Sequence, residues 1–269
     1  METAIGKELR KTFELWGWEW ETCMEGERPL HPSDPRYYIN QDNVVVDERN
    51  EMVTLTMEHN PAEVNWYKPG WTTPMIEYTP EYSCGLIKSV DTVQVNSIIE
   101  ADLKFPKGAN LWPSFWLTAC DSWPPEIDIV EAYSNNKGSY KDGWNFHWQW
   151  PFFYRELRFE SNVHYKGDEE EHLSTGAKAV HPKVMNKPVE DNWNNFKCIW
   201  TDDAIEFYIN GYPVRKITDK YVLAKMATKG MWAIFNVWPN DRFDMKKDGD
   251  ITTFKQCFQI RNFKTTPIK

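Results

Sequence analysis

The stretch from Leu111 to Glu131, LWPSFWLTACDSWPPEIDIVE, predicts two β-strands separated by a proline-containing turn. Successive side chains of a strand point to opposite faces. In the first strand, one face carries Trp112, Ser114 and Trp116, whereas the other face is apolar. The apolar face predicts a core contact. The other face mixes indole rings with a hydroxyl group, a combination that suits the apolar ring face and the hydroxyl groups of a sugar.

The second strand, EIDIVE, contains three carboxylates. Strict alternation places Glu126 and Asp128 on one face, but Glu131 is five positions from Glu126 and would point inward. A buried and unpaired carboxylate is costly. We therefore predict a one-residue β-bulge at Ile129–Val130, which restores the parity and places Glu131 beside the other two carboxylates.

Carboxylates clustered in this way repel one another, and the repulsion raises at least one pKa. A site of this kind can keep one carboxylic acid protonated while another stays ionised. The alternative interpretation is an edge strand whose acidic residues simply face solvent. The aromatic residues on both sides of the cluster favour the first interpretation.

The overall composition excludes several classes of protein. The 269 residues include 31 Lys plus Arg and 40 Asp plus Glu, a net charge of −9, which argues against binding to nucleic acid. No run approaches the roughly 18 to 20 apolar residues that span a bilayer, so we expect no membrane partner. The 15 Trp residues exceed the usual need of a core and suit a wet contact surface.

The first twenty residues are interrupted by charges and lack the apolar segment of a signal peptide. We expect a secreted or periplasmic mature form whose targeting segment has been removed; a protein that stays inside the cell is the alternative. The five cysteines form no CxxC pair, which argues against a zinc site. We expect a monomer.

Short strand-like segments recur along the chain, with polar or Gly/Pro connections, and predict an all-β sandwich or barrel. Asn210-Gly211 predicts a two-residue hairpin turn because both residues tolerate positive φ. Residues 219–226 are the best helix candidate, residues 151–191 are polar and irregular, and residues 167–171 predict a solvated loop. The predicted strands are 42–48, 51–58, 85–89, 93–105, 112–119, 126–133, 144–150, 196–201, 204–209, 231–238 and 253–263.

We interpret residues 1–269 as one domain, with an extended N-terminal arm over residues 1–40. No internal repeat and no low-complexity linker divides the chain.

The EIDIVE segment resembles the bulged ExDxxE active-site signature of glycoside hydrolase family 16. Residues 82–89 and 96–102 resemble the family's "yGyfEaR" region. Residues 105–117, with PKG followed by LWPSFWL, resemble its "lPkG…lWPaFWml" run. Residues 195–211 resemble its "fH.y.ieW….i.fyvDG" hairpin, so the likeness extends from about Tyr82 to Phe263.

This resemblance implies a β-jelly-roll of two curved antiparallel sheets whose concave face forms a polysaccharide cleft. Carried over position by position, it makes Glu126 the nucleophile and Glu131 the general acid/base, with Asp128 tuning their protonation. Retaining glycosidases need carboxyl groups about 5 to 5.5 Å apart, a spacing that neighbouring same-face positions on one bulged strand can supply. The implied activity is endo-acting, retaining hydrolysis of β-linkages, which requires no cofactor.

Two further strands are expected to supply cleft residues. In the strand 144–150, Asn145, His147 and Gln149 share a face, and the family has a cleft histidine after the acid/base, so we expect His147 near the cleavage point. In the strand 231–238, Asn236 and Trp238 share a face. The predicted substrate-binding residues are Trp112, Trp116, Trp123, Tyr133, Asn145, His147, Gln149, Asn236 and Trp238.

The chain also departs from the family pattern. The sequence IFNVWPN at 234–240 lacks the glycines of the family's "lNlavGG", so Trp238 is expected to fill space that relatives leave open. Leu86 stands where a cleft Arg is common. Gln256 is the nearest match to an Asp that binds calcium in many relatives, so we expect no metal.

The expected partner is a polysaccharide, most simply a β-1,3- or mixed-linkage glucan. Sulfated galactans would require Arg or Lys in the cleft, and the predicted cleft strands have none. Arg155, Arg158 and Lys166 are near enough to keep galactans of the agar, porphyran or carrageenan type as the alternative. A non-catalytic glycan-binding protein and a transglycosylase on the same fold are further alternatives.

Overall fold

The computed structural model describes residues 11–24, 36–66, 76–107, 111–134, 159–179, 184–240 and 256–268. In these residues the strands are numbered β1 to β20 in chain order. They are β1 Thr12–Leu15, β2 Trp18–Glu21, β3 Tyr37–Ile39, β4 Val44–Asp47, β5 Met52–His59, β6 Val64–Trp66, β7 Ile76–Tyr78, β8 Tyr82–Cys84, β9 Leu86–Ser89, β10 Ser97–Lys104, β11 Leu111–Ala119, β12 Glu126–Ala132, β13 Phe159–Lys166, β14 His172–Ser174, β15 Lys178–Ala179, β16 Asn194–Trp200, β17 Ile205–Ile209, β18 Tyr212–Ile217, β19 Met231–Pro239 and β20 Gln256–Pro267. Helix α1 is Lys220–Lys225, and Gln41–Asn43 and Glu48–Asn50 form 3-10 turns.

Two sheets of nine strands each contain most of these strands. The first, which we call the site sheet, has the order β1-β2-β9-β19-β11-β12-β13-β14, with β15 paired to β13. The second, which we call the opposite sheet, has the order β18-β17-β16-β10-β20-β5-β8-β3, with β4 paired to β5. Strands β6 and β7 pair with each other. Among the described pairs, β3 and β8 run parallel and the others are antiparallel.

The two sheets pack together through an aromatic core. Phe115 of β11 stacks on Phe235 of β19 with 4.2 Å between the ring centroids. Both rings contact Phe263 of β20 in the opposite sheet, and so does Trp20 of β2. Because all four side chains are buried, their apolar area holds the sheets face to face.

The two sheets differ in how their second faces are covered. Strands β10, β16 and β17 alternate buried and partly exposed residues, so one face of the opposite sheet meets water. Strands β11 and β19 are buried at nearly every position. The face of the site sheet that points away from the core is therefore also lined by closely packed side chains.

The predicted all-β class is confirmed, and so are several local predictions. Asn210 and Gly211 have φ values of 50° and 81° and join β17 to β18 as a two-residue turn. The Asp219 carboxylate accepts hydrogen bonds from the backbone N–H groups of Tyr221 and Val222 and caps α1. No described helix has the length and apolar character needed to cross a membrane.

Some predicted boundaries are wrong for local reasons. The strand predicted over 93–105 begins only at Ser97, because Asn96 has a φ of 63° and interrupts the extended backbone. Residues 42–43 belong to a 3-10 turn that the Asn40 side chain caps. The strand predicted over 144–150 lies outside the described residues.

The N-terminal segment contributes directly to both sheets. Strands β1 and β2 form a hairpin at one edge of the site sheet, and β3 pairs with β8 in the opposite sheet. The division into one domain with an N-terminal arm stays a prediction.

The polar stretch 151–191 contains a strand that the sequence interpretation missed. Strand β13 pairs with the carboxylate strand β12, and its residues Phe159 and Val163 are fully buried. Asn162 and His164 lie on its other face, over the carboxylates. Residues 168–171 are exposed, as the solvated-loop prediction requires.

Candidate active site

The predicted bulge in β12 is confirmed, and it places the three carboxylates together. The ladder between β11 and β12 skips Ile129, because Asp128 and Val130 pair with successive residues of β11. The ladder between β12 and β13 shifts between Asp128 and Glu131. The extra residue turns Glu131 to the same face as Glu126 and Asp128, and all three line one pocket of about 330 Å³.

Most of the predicted cleft residues that the structure describes lie at this pocket. Trp112, Trp116, Tyr133 and Trp238 line it together with the carboxylates. Trp123 stands at its edge, where it is 54% exposed and bonded to a carboxylate. The predicted residues Asn145, His147 and Gln149 lie outside the described residues.

Glu126 is held by contacts on both sides of its carboxylate. The indole Nε1–H of Trp123 donates to Oε2 of Glu126 over 2.8 Å. Asp128 is within hydrogen-bond contact of the same side chain. The Nε2 atom of His164 lies 3.8 Å from Oε1 of Glu126. These contacts orient the Glu126 carboxylate while leaving its side chain 15% exposed to an incoming molecule.

Glu131 stands against an aromatic wall. The Tyr133 hydroxyl donates to Oε1 of Glu131 over 2.9 Å. The Tyr133 ring stacks on Trp112 with 5.2 Å between centroids, and Trp112 meets Trp238 edge to face at 5.8 Å. The wall presents flat apolar area next to a carboxyl group, an arrangement that suits sugar rings.

Trp116 forms the buried floor of the pocket and is hydrogen-bonded to the buried side chain of Asn236. The Trp116 indole donates its Nε1–H to Oδ1 of Asn236 over 2.7 Å, and the two side chains are 8% and 0% exposed. Alternation predicts their common face correctly, but Asn236 lies beneath Trp116 and does not line the pocket. Its contact with substrate therefore stays a prediction, and its observed contact is with Trp116.

The sequence interpretation did not identify His164 and Asn162 of β13. Nε2 of His164 lies 3.1 Å from Oδ2 of Asp128, and the Asn162 side-chain amide lies 3.0 Å from the same nitrogen. The signal that could have found them is the alternation of buried Phe159 and Val163 with polar residues. It was hidden by the acidic, loop-like composition that follows in the chain.

Burial dominates the electrostatics of the cluster. It raises the pKa of Glu126 from about 4.5 to about 8, and the neighbouring Asp128 charge adds to the effect. Burial also raises the pKa of Glu131 to about 7, although its hydrogen bond from Tyr133 acts in the opposite direction. Asp128 has a pKa well above its ordinary range because it is buried beside Glu131. The sequence interpretation expected a raised pKa for Glu131, and this direction is confirmed, with burial as the first cause and like charge as a smaller one.

The raised pKa of Glu126 exceeds what the sequence interpretation expected of an ionised nucleophile. The hydrogen bond between Glu126 and Asp128 raises the pKa of Glu126 and acts to lower that of Asp128, so this contact favours the proton on Glu126. The indole N–H of Trp123 acts in the opposite direction and favours the ionised form of Glu126. Glu126 must therefore lose a proton before it can act as the predicted nucleophile.

We expect the activity of this site to depend on pH in a bell shape centred near neutrality. Well below pH 7 both Glu126 and Glu131 are protonated, so the predicted nucleophile is not ionised; well above pH 8 both are ionised, so the predicted acid has no proton to donate. Measurement of kcat/KM from pH 4 to 10 should show both limbs well above the ordinary glutamic acid pKa of about 4.3. A rate that stays constant from pH 5 to 10 would contradict the raised pKa values.

The donor atoms of Glu126, Asp128 and His164 lie within 4.8 Å of one another and could hold a divalent cation. The Nε2 atom of His164, which would be the metal-binding nitrogen, already lies 3.0 Å from the side-chain amide nitrogen of Asn162. The hydrogen bonds within the cluster account for this geometry, and the proposed chemistry uses the carboxyl groups directly.

The chain folds as an all-β sandwich, and a bulged strand places three carboxylates in an aromatic pocket. This combination is typical of jelly-roll proteins with a glycosidase-type carboxylate cluster. The family model for Glycosyl hydrolases family 16 matches residues 33–256. The chain therefore belongs to this family.

Curated proteins and solved structures agree with this assignment. The chain is 28% identical over 93 residues to a galactan endo-beta-1,3-galactanase of Flammulina velutipes, a match that covers 33% of this chain and 35% of that protein. It is 24% identical over 147 residues to glucan endo-1,3-beta-glucosidase A1 of Niallia circulans, covering 52% of this chain and 18% of that protein. The chain thus spans about a third or less of the curated relatives it matches.

The fold is also that of solved family members. A Bacteroides ovatus family 16 protein from a mixed linkage glucan cluster, in complex with its product, superposes with a TM-score of 0.62 at 18% identity. The superposition covers 92% of this chain and 94% of that one. The jelly-roll class predicted from the sequence is confirmed.

Proposed function

We propose that this protein is an endo-acting, retaining β-glycan hydrolase. The observation that carries the proposal is the bulged row of Glu126, Asp128 and Glu131 in one pocket with an aromatic wall. Each carboxylate has a different environment, as a nucleophile and a general acid require. Membership of glycosyl hydrolases family 16 supports the same reaction class.

In the proposed reaction, Glu126 attacks the anomeric carbon while Glu131 gives its proton to the departing glycosidic oxygen. The bond between the anomeric carbon and that oxygen breaks, and a glycosyl ester forms on Glu126. Glu131, now ionised, takes a proton from a water molecule that attacks the ester carbon and releases the sugar. Two inversions at one carbon give net retention. Asp128 is in hydrogen-bond contact with Glu126 and tunes its protonation, and Glu126 loses its proton before it attacks.

The wall and floor of the pocket support a glycan as substrate. Ser114 Oγ and Trp112 Nε1 are buried, and neither has a hydrogen-bond partner among the described residues. Both atoms belong to residues that line the pocket. A buried polar group without a partner is costly, and sugar hydroxyl groups would satisfy both atoms. The indole rings would stack on the apolar faces of the same sugars.

A neutral glucan fits this pocket better than a sulfated galactan. Within the described part of the chain, no Lys or Arg side chain lines the pocket. Of the three basic residues that the sequence suggested as sources of positive charge, Lys166 forms an ion pair of 3.0 Å with Glu170 at the sheet edge. Arg155 and Arg158 lie outside the described residues. We therefore propose a β-1,3- or mixed-linkage glucan, in line with the relative named as a glucan endo-1,3-beta-glucosidase. A neutral β-1,3-galactan is the second candidate, favoured by the relative named as an endo-beta-1,3-galactanase.

The presence of all three carboxylates favours catalysis over binding alone, because a glycan-binding protein has no need for an arrangement that raises pKa values at the expense of stability. A transglycosylase would share the first step and transfer the glycosyl group to a sugar instead of water. Trp123 at the edge of the pocket is exposed, and this open edge would let water reach the reacting carbon, which favours hydrolysis.

A polysaccharide panel assayed for new reducing ends tests the proposal. We expect release of oligosaccharides from laminarin or mixed-linkage β-glucan, with a rapid fall in viscosity that identifies internal cleavage. Agarose, porphyran, carrageenan and β-1,3-galactan should react slowly or not at all. Activity on β-1,3-galactan alone would select the second candidate, and inactivity on every polysaccharide at pH 7 to 8 would contradict an enzymatic role.

A further inference from the structure

An exposed histidine at the edge of the site sheet contacts two side chains of the pocket. His172 lies in the edge strand β14. Its Nε2 atom is 2.7 Å from Nδ1 of His164, and the two rings lie 4.9 Å apart at an angle of 28°. On another side, the His172 ring packs against the Trp123 ring at 4.9 Å.

Each of these two partners contacts a carboxylate. Trp123 donates its indole N–H to Glu126 over 2.8 Å. His164 lies 3.1 Å from Oδ2 of Asp128 and 3.8 Å from Oε1 of Glu126. The contacts thus form a closed ring, from Glu126 through Trp123, His172 and His164 back to the carboxylates. His172 is the member of this ring that touches no carboxylate in these contacts.

The neighbours of His164 assign the direction of its hydrogen bonds. Oδ1 of Asn162 accepts the backbone N–H of Val163 over 2.9 Å, so its amide nitrogen faces Nε2 of His164 at 3.0 Å. We assign Nε2 of His164 as an acceptor and place the ring proton on Nδ1, which then donates to Nε2 of His172. With this assignment, the 3.1 Å contact between the same Nε2 and Oδ2 of Asp128 requires the proton to be on Asp128. Partial burial and the adjacent His164 lower the pKa of His172, which favours the neutral ring that this acceptor role needs.

The turn before β14 holds His172 in register. The N–H of Gly167 donates to the carbonyl of Glu171 over 2.8 Å. The carboxylate of Glu171 folds back over Gly167 in this turn and occupies the space that a side chain would take. Lys225 at the end of α1 is 2.6 Å from the carboxylate of Asp168 in the same turn. The edge strand is therefore tied to the body of the protein, and His172 is not simply a surface residue on a loose hairpin.

We propose that His172 is a positioning residue for the reaction, which fixes the His164 imidazole and the Trp123 indole against the carboxylates of Asp128 and Glu126. The inference rests on the proposed function. His172 accepts the His164 Nδ1 proton, which keeps Nε2 of His164 toward Asp128, and its ring supports the face of Trp123. Small errors in the orientation of a reacting group are costly: a displacement of about 1 Å can lower a rate on the order of a hundredfold.

His172→Ala and His172→Gln test the proposal, with His59→Ala as the matched control. His172→Ala removes both contacts, and we expect kcat on the active polysaccharide to fall about tenfold or more. His172→Gln keeps an acceptor for the His164 proton and should recover a substantial part of kcat. His59 is an exposed histidine of β5 in the opposite sheet, and its replacement should leave kcat unchanged. Because β14 is a short exposed edge strand, the melting temperature of all three variants should stay close to that of the parent.

A spectroscopic measurement separates positioning from a general loss of structure. In protein labelled with 15N, Nδ1 of His164 should show the chemical shift of a protonated nitrogen in the parent and in His172→Gln. In His172→Ala the ring should become a mixture of tautomers, and the Nδ1 proton should exchange rapidly with water. Parental kcat in His172→Ala would overturn the inference. Equal losses in both variants with an unchanged His164 signal would also overturn it, since the effect would then not pass through the hydrogen bond.

The variant Glu126→Gln distinguishes failure of the positioning inference from failure of the proposed function. If Glu126→Gln is inactive while His172→Ala retains full kcat, the positioning inference fails and the proposed function stands. If Glu126→Gln hydrolyses polysaccharide at the parental rate, the proposed function itself fails.

Discussion

Glu126→Gln is expected to abolish hydrolysis of polysaccharide, with a loss of at least about a thousandfold in kcat, because an amide cannot form the glycosyl ester. Folding should be unaffected. The amide has nearly the shape of the carboxyl group and can still accept the hydrogen bond that Trp123 donates. Circular dichroism and calorimetry would establish folding, and titration with product oligosaccharides would establish binding.

The effect of Glu126→Gln on the free energy of unfolding depends on pH. Burial raises the pKa of Glu126 to about 8 in the folded protein, so between the unfolded pKa and pH 8 the folded state binds more protons than the unfolded state. The contribution of Glu126 to stability is therefore present at low pH and is lost as the pH rises through about 8. Since glutamine does not titrate, Glu126→Gln should unfold at the same or a higher temperature than the parent at pH 9.

Glu206→Gln is the matched control for this experiment. Glu206 lies in β17 of the opposite sheet, where it forms an ion pair of 2.8 Å with Lys216. The same chemical change at this distance from the pocket should leave kcat within about twofold of the parent, because surface pairs contribute little. Near-parental hydrolysis by Glu126→Gln would remove Glu126 as the nucleophile.

Local patterns in the sequence predict much of this molecule, because the determinants are consecutive residues. The alternation in LWPSFWLT determines the core face of β11. The Asn210-Gly211 pair determines the turn between β17 and β18 without help from the rest of the chain. The bulge at Ile129 is predictable for a related reason. With regular alternation, Glu131 would point into the core. Because burial of an unpaired carboxylate is costly, the sequence predicts an extra residue between Asp128 and Glu131.

The remaining features depend on contacts between distant segments. Strand β13 is mostly polar, and it becomes part of the site only because it pairs with β12 in a register that the bulge shifts. His164 and Asn162 therefore reach Asp128 through a tertiary pairing that no local pattern specifies. Asn236 illustrates a second limit: alternation gives the face of a residue but not its depth, and Trp116 covers it.

Glu131→Gln should separate the two chemical steps of the proposed mechanism. Glu131 is expected to protonate the departing oxygen, and general acid–base catalysis typically contributes about 10²- to 10⁴-fold to the rate. Cleavage of ordinary polysaccharide, whose leaving group needs that proton, should fall by this amount. An aryl glycoside with an acidic phenol as leaving group needs no proton, so its first step should be spared and phenol should appear in a burst.

Glu160→Gln provides the control on the neighbouring strand. Glu160 is paired directly with Glu131 across β12 and β13, and its charge raises the pKa of Glu131. Its replacement should preserve hydrolysis and move the alkaline limb of the pH profile to lower pH, because removal of a like charge makes Glu131 a stronger acid. Loss of the burst with Glu131→Gln together with an unchanged limb in Glu160→Gln would contradict the assignment of Glu131.

Azide should restore turnover of the aryl glycoside by Glu131→Gln. The glycosyl ester on Glu126 accumulates in this variant because no base activates water for its release. Azide is already an anion and attacks the anomeric carbon without a base, so the ester bond breaks, the carboxylate of Glu126 is released and a glycosyl azide forms. The product should have the β configuration, since the two displacements invert the same carbon twice. An α-glycosyl azide would indicate a single displacement and would contradict Glu126 as nucleophile. A Glu131→Gln protein that azide does not rescue and that cleaves polysaccharide at the parental rate would show that Glu131 is not the acid/base, and the bulge in β12 would then position Glu131 for some purpose other than proton transfer.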